Sequence, residues 1–164
     1  MIQQARMIQK GGYSVLIPDL RAHGDSEGDT VTGDMEVYDV LGAIEYLATR
    51  SDVDANQIGI LGVSFGALVA LRAARQSKAI RAVVLESIGP ANLDDHGGHP
   101  TTFWRWINYP FNWLLFKLFD LMSRAETKEG VIEALRLIYP RPVLLISTGR
   151  GKEKYFIRSL YEAA

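Results

Sequence analysis

Short apolar runs alternate with amphipathic stretches along most of this chain, and that alternation predicts elements before any single residue is considered. Residues 1–10 set Met1, Ala5 and Ile8 on one face of a short helix, which Gly11-Gly12 stops. Residues 13–20 read as a strand whose centre, Val15-Leu16-Ile17, is continuously apolar, as expected of a strand buried on both faces of a parallel sheet. A polar loop rich in Gly, Asp and Ser follows over residues 21–33. Residues 34–49 carry the strongest helical pattern: Val37, Val40, Leu41, Ile44 and Leu47 share a face, and Asp34 and Glu36 load the first turn with favourable charge. Residues 58–61 and 82–85 read as strands, with a helix rich in small residues between them. Helix and strand resume at residues 130–138 and 142–147. Strands of Val, Ile and Leu alternating with helices argue for an α/β fold, three layers α/β/α around a mostly parallel sheet.

One segment breaks the alternation. Residues 103–122 hold 14 apolar residues in 20, all three tryptophans among them. Arg105, Lys117 and Asp120 interrupt it, and its longest apolar run, residues 113–116, is far short of the roughly 20 residues that span a bilayer. Two readings stand. In one, residues 91–125 form a helical cap over an active site, with Phe103, Trp104, Trp106 and Trp113 lining an apolar pocket for an acyl or aromatic group. In the other, a helix pair packs its own small core. The remainder, residues 1–90 and 126–164, forms the core domain in either case.

Composition narrows the partners. At 164 residues the chain suffices for one domain with a sizeable core. A net charge of −1, from 18 basic and 19 acidic residues, gives no electrostatic footprint for nucleic acid or an anionic membrane. No cysteine is present, which removes disulfides, thiol nucleophiles and cysteine-ligated metals and suits a reducing compartment. The polar and basic residues among the first ten do not make a signal peptide, so a cytoplasmic location is expected. Asp94, Asp95, His96 and His99 are of metal-ligand type, but Gly97-Gly98 breaks helical spacing and no metal is expected. No phosphate-cradling glycine loop followed by Lys-Ser or Lys-Thr occurs, and no organic cofactor is implied.

The chemistry concentrates at Gly62-Val63-Ser64-Phe65-Gly66, where an apolar strand turns directly into a helix. That is the setting of a serine nucleophile elbow: strained backbone lifts the hydroxyl clear of the sheet, and flanking glycines remove Cβ atoms that would collide. With residues 15–26 (VLIPDLRAHGDS) ahead of it and residues 141–146 (RPVLLI) behind, the chain resembles the α/β-hydrolase superfamily of serine esterases, lipases and peptidases over about residues 12–153. The resemblance implies a serine hydrolase that cleaves a small-molecule ester, or an amide or peptide, through an acyl-enzyme on Ser64. The backbone N–H of Phe65 matches an oxyanion donor. Two carboxylates match positions where the family places its acid: Glu153 after the last strand, and Glu86 at the end of the strand before it.

The family's base is a histidine after the final strand, and none follows His99 here. His23 matches a loop-shaping histidine, and His96 and His99 precede the aromatic segment, so the catalytic base is not expected within these residues. The early strand that carries the second oxyanion donor is also unmatched. By the same resemblance it lies between the strands of residues 13–20 and 58–61, so either the sequence is part of a longer hydrolase or those two strands close up and pair. The competing expectation is a non-catalytic, truncated hydrolase fold that binds a ligand or partner through its aromatic segment.

Overall fold

The computed structural model describes residues 1–28, 33–91, 95, 107, 109–111, 113–115, 117–118, 129–149 and 151–163, without the side chains of residues 151, 152, 154 and 163. In chain order its elements are α1 (Ile2–Lys10), α2 (Met35–Thr49), β1 (Ile58–Val63), α3 (Phe65–Gln76), β2 (Ile80–Glu86), α4 (Val131–Ile138), β3 (Val143–Ile146) and α5 (Gly151–Ala163). The described residues within 107–118 are helical as well. The strands form one parallel sheet in the order β1-β2-β3. Consecutive parallel strands need a crossover, and α3 supplies the one between β1 and β2.

The apolar pattern explains the packing. α3 is built from small and branched residues, and Ala67, Val69, Ala70, Leu71, Ala73 and Ala74 are all buried. Small side chains let it approach the sheet closely, and it packs against β1 and β2 while α2 and α4 pack against it. α2 contributes Val37, Val40 and Ile44, the face read from its periodicity. Asp34 precedes the helix, and its carboxylate is 3.0 Å from Arg72 on α3, a largely buried ion pair. Glu36 is fully buried and accepts the Gly33 N–H at 2.8 Å.

Residues 13–20 correct an expectation. They form no strand, and Val15, Leu16 and Ile17 are 40 to 45% exposed. A strand exists only by pairing, and among the described residues the edge of β1 away from β2 carries no partner. Residues 13–20 and β1 therefore do not close up on one another. α1, just before this segment, buries no residue.

The chain rejoins the core at Leu20, and the loop beyond it is held to α2 by one ion pair. Asp39 accepts the Arg21 backbone N–H at 2.9 Å and the guanidinium at 2.7 to 3.2 Å. The Arg21 side chain holds the Asp39 carboxyl below the usual carboxylate range, against the opposing effect of burial. A carboxyl with a lower pKa folded than unfolded stabilises the fold fully above its unfolded value of about 3.9, and this contribution is lost as pH falls through the folded value. Asp39→Asn is expected to lower the melting temperature at neutral pH and to leave it closer to wild type at strongly acid pH, in thermal melts across that range.

Candidate active site

Ser64 sits between the last residue of β1 and the first residue of α3, with φ 53° and ψ −117°. Few side-chain-bearing residues adopt such a backbone, and those that do cluster where a structure needs a side chain aimed unusually. Here the strain turns the chain from strand to helix in one residue and leaves Ser64 exposed. Its N–H donates to the Glu86 carbonyl at 2.8 Å and its carbonyl accepts from Ala67 N–H at 3.0 Å, so the turn is pinned from both sides.

The two glycines of the motif are not equivalent. A Cβ on Gly62 would overlap the Gly66 carbonyl oxygen and lie 2.6 Å from the Ala67 Cα, both backbone atoms that cannot swing away. A Cβ on Gly66 would meet nothing within 4 Å. The expected steric need for glycine on both sides thus holds at Gly62 alone. Phe65, as the first residue of α3, has an N–H without an intrahelical acceptor by position, and the helix N-terminus favours negative charge beside it.

Glu153 lies in the first turn of α5 and reaches back toward the end of β3. Its carboxylate accepts the Thr148 hydroxyl at 2.5 Å and the Thr148 N–H at 3.1 Å. The Thr148 hydroxyl, foremost, holds its pKa below the usual carboxylate range against partial desolvation; the Thr148 backbone and then the Ser147 and Ser87 hydroxyls add to this. Glu86 differs. It ends β2 in register between Val63 and Ile146, so its side chain stands on a face of the sheet while its carbonyl serves Ser64.

Among the described residues His23 is the single histidine. Its Nδ1 is 2.9 Å from the Arg21 carbonyl, and it makes no bond to Ser64. His96, His99, Phe103, Trp104 and Trp106 lie outside the described residues. Trp113 is helical and about half exposed, and no group of acidic and histidine side chains suited to a metal occurs among the described residues.

Two features of the site were missed in the sequence. One is a serine directly after each strand: Ser64 after β1, Ser87 after β2 and Ser147 after β3. The signal was present as GVS, LES and LIS at the ends of three apolar runs. The other is the bridging role of Asp95, weighed above only as a metal-type residue: its buried carboxylate accepts the Ala91 N–H at 2.8 Å and the Val131 N–H at 2.9 Å. It joins the segment after β2 to the start of α4, across the stretch that holds the aromatic residues. Asp95→Ala strands two backbone donors and is expected to cost roughly 2–4 kcal/mol in chemical denaturation, with Asp95→Asn costing less because its amide oxygen still accepts.

The chain matches the X-Pro dipeptidyl-peptidase (S15) family over residues 2–154. It belongs to that family. Its similarity to curated proteins is partial: it is 36% identical over 107 residues to the putative hydrolase YtaP of Bacillus subtilis, covering 52% of this chain and 36% of that protein. It is 34% identical over 83 residues to the thiohydrolase aneE of Aspergillus aculeatus, covering 49% of this chain and 26% of that one. Among solved structures, the Pyrococcus furiosus esterase Pf2001 superposes with a TM-score of 0.65 at 27% identity, over 99% of this chain and 60% of the esterase. The S15-family chain therefore spans about a quarter to a third of the curated relatives' length in these matches, and it has an α/β-hydrolase-type fold. No helix among its described residues is long and apolar enough to cross a membrane.

Proposed function

We propose that this S15-family protein is a serine hydrolase that cleaves an ester, thioester or amide through an acyl-enzyme on Ser64. The observation that carries the reading is the backbone of Ser64, at φ 53° and ψ −117° between a parallel strand and a helix N-terminus. In the mechanism the Ser64 hydroxyl attacks the carbonyl, the Phe65 N–H receives the developing oxyanion, and a histidine takes the proton while a carboxylate orients it. We assign that carboxylate to Glu153 in preference to Glu86, because Thr148 holds Glu153 just beyond the end of β3 whereas Glu86 lies within the ladder of β2.

Spacing supports the assignment. Ser64 follows β1 and Ser147 follows β3, two strand spacings or about 10 Å apart. An imidazole with a hydrogen bond of about 2.8 Å at each nitrogen bridges roughly 8 Å, which fits between a hydroxyl on the first strand and a carboxylate beside the third. His23 is committed elsewhere, so the base comes from residues other than those described.

Names among the relatives, an esterase and a thiohydrolase, favour acyl esters and thioesters over peptides as substrates. We assign residues 91–125 to a cap, with Phe103, Trp104, Trp106 and Trp113 facing an apolar acyl group. A panel of a p-nitrophenyl acyl ester, an acyl thioester and an X-Pro p-nitroanilide tests the substrate class. Turnover of the first two above the third is expected; cleavage of the anilide alone would overturn the acyl-ester assignment.

A non-catalytic binding role is the second reading, and one observation favours it: Ile107, Phe111, Leu114, Leu115 and Leu118 share a helical face and are all exposed. It predicts no turnover on any member of the panel.

A further inference from the structure

Arg72 is a buried cation on the same helix that Ser64 opens, and the loop ahead of α2 joins the two ends of that helix face. Phe65, Leu68 and Arg72 follow one another at spacings of three and four, which sets them on one stripe of α3 from its first turn to its third. Gly33 lies along that stripe. A Cβ built on it would be 3.5 Å from the Phe65 ring, 3.7 Å from Leu68 and 3.0 Å from the Arg72 guanidinium, and its φ of +83° suits glycine. The loop therefore rests on the residue that follows the nucleophile.

Two polar contacts hold Gly33 there. Its N–H donates to the fully buried Glu36 at 2.8 Å, and Asp34, next along the chain, meets Arg72 at 3.0 Å with both side chains nearly withdrawn from water. Among the described residues Asp34 is the ion-pair partner of Arg72. Apolar side chains of similar volume would stabilise such a contact about as well as a buried ion pair does; what the pair adds here is a preference for one arrangement of loop on helix.

The first turn of α3 has need of such a hold. The Phe65 N–H has no intrahelical acceptor by position, and helix ends fray unless something outside the helix fixes them. The bond from Ser64 N–H to the Glu86 carbonyl pins the turn on its strand side. Gly33, packed on the Phe65 ring, pins it on the helix side.

We propose that Arg72 is a positioning residue: through Asp34 it holds Gly33 against the Phe65 ring, and so fixes the direction in which the Phe65 N–H meets the developing oxyanion. The proposal rests on the reading of Ser64 as nucleophile and of the Phe65 N–H as its oxyanion donor.

The test compares wild type with Arg72→Met combined with Asp34→Leu, which removes both charges, leaves no buried ion unpaired and so retains the fold. Arg72→Lys, which keeps the charge pair but not the planar fork of donors, is the second variant. Protein labelled with carbonyl-carbon serine and nitrogen-15 phenylalanine reports the Phe65 amide by itself, because Ser64-Phe65 is the single Ser-Phe pair in the sequence; Phe156, after the single Tyr-Phe pair, is read in the same way as a control on α5. In the double variant the Phe65 amide resonance is expected to move while Phe156 stays, and the maximal rate of phosphonate labelling at Ser64 to fall about tenfold with little change in the half-saturating probe concentration, a smaller loss than removal of an oxyanion donor. Arg72→Lys is expected to move Phe65 in the same direction by less. Phe65 at its wild-type position in both variants, or displaced together with Phe156, overturns the proposal. Labelled wild-type Ser64 with an unmoved Phe65 overturns the role of Arg72 and leaves the nucleophile standing. Unlabelled wild-type Ser64 overturns the nucleophile reading, and with it the catalytic purpose of the contact.

Discussion

Gly62→Ala is expected to destabilise the protein by roughly 3 kcal/mol or more, because the added methyl group falls onto the backbone of the first turn of α3. Neither β1 nor α3 has room to give. β1 is bonded along its length to β2, and α3 buries six apolar residues beneath it. A chain that accommodates the methyl group must move α3 off the sheet, which displaces Ser64 and the Phe65 N–H together. Gly66→Ala is the control. Its Cβ meets nothing, and the position is helical, so alanine is expected to add about 0.5–1 kcal/mol of stability. Equilibrium denaturation of the two variants reads the difference directly. Equal losses at both glycines would mean that the turn is not built as described.

Replacement of Ser64 separates activity from stability. Ser64→Ala and Ser64→Gly are each expected to lower turnover of a cleavable ester by about 10⁴-fold or more, as removal of a hydrolase nucleophile does. Their stabilities diverge. Alanine retains the strained φ of 53°, whereas glycine relieves it and is expected to gain roughly 1–3 kcal/mol. A raised melting temperature in an inactive Ser64→Gly variant is the signature of strain maintained for function. Wild-type turnover in either variant would move the chemistry to another residue.

Local patterns carried much of this in the sequence. The elbow was legible because everything that makes it lies within a few residues: an apolar run, a glycine that cannot be larger, a serine and a helix of small residues. α2 was legible because its buried face repeats at helical spacing. Residues 13–20 were misread for the opposite reason. Val15-Leu16-Ile17 has the composition of a buried strand, but pairing belongs to the neighbour as much as to the segment, and among the described residues that neighbour is absent.

The acid stayed ambiguous between Glu153 and Glu86 because residues 149–152 blur the end of β3. The structure gives the two different surroundings: α5 begins at Gly151, which puts Glu153 in its first turn with Thr148 in reach, while Glu86 ends β2 within the ladder. Asp34 was read as a helix-dipole charge, yet its carboxylate is turned to Arg72, a partner 38 positions along the chain that no local pattern announces. The row formed by Ser64, Ser87 and Ser147 depends on register, and register appears only when strands are laid side by side.

Phosphonate labelling tests the central claim most directly. The protein, purified folded from the cells that produce it, is incubated with a fluorophosphonate and digested, and its peptides are read by mass spectrometry. A single adduct is predicted, on the Ser64 hydroxyl, formed at a rate that falls when a competing acyl ester is present. A folded sample with Ser64 unmodified, or with the adduct on another serine, would contradict the account.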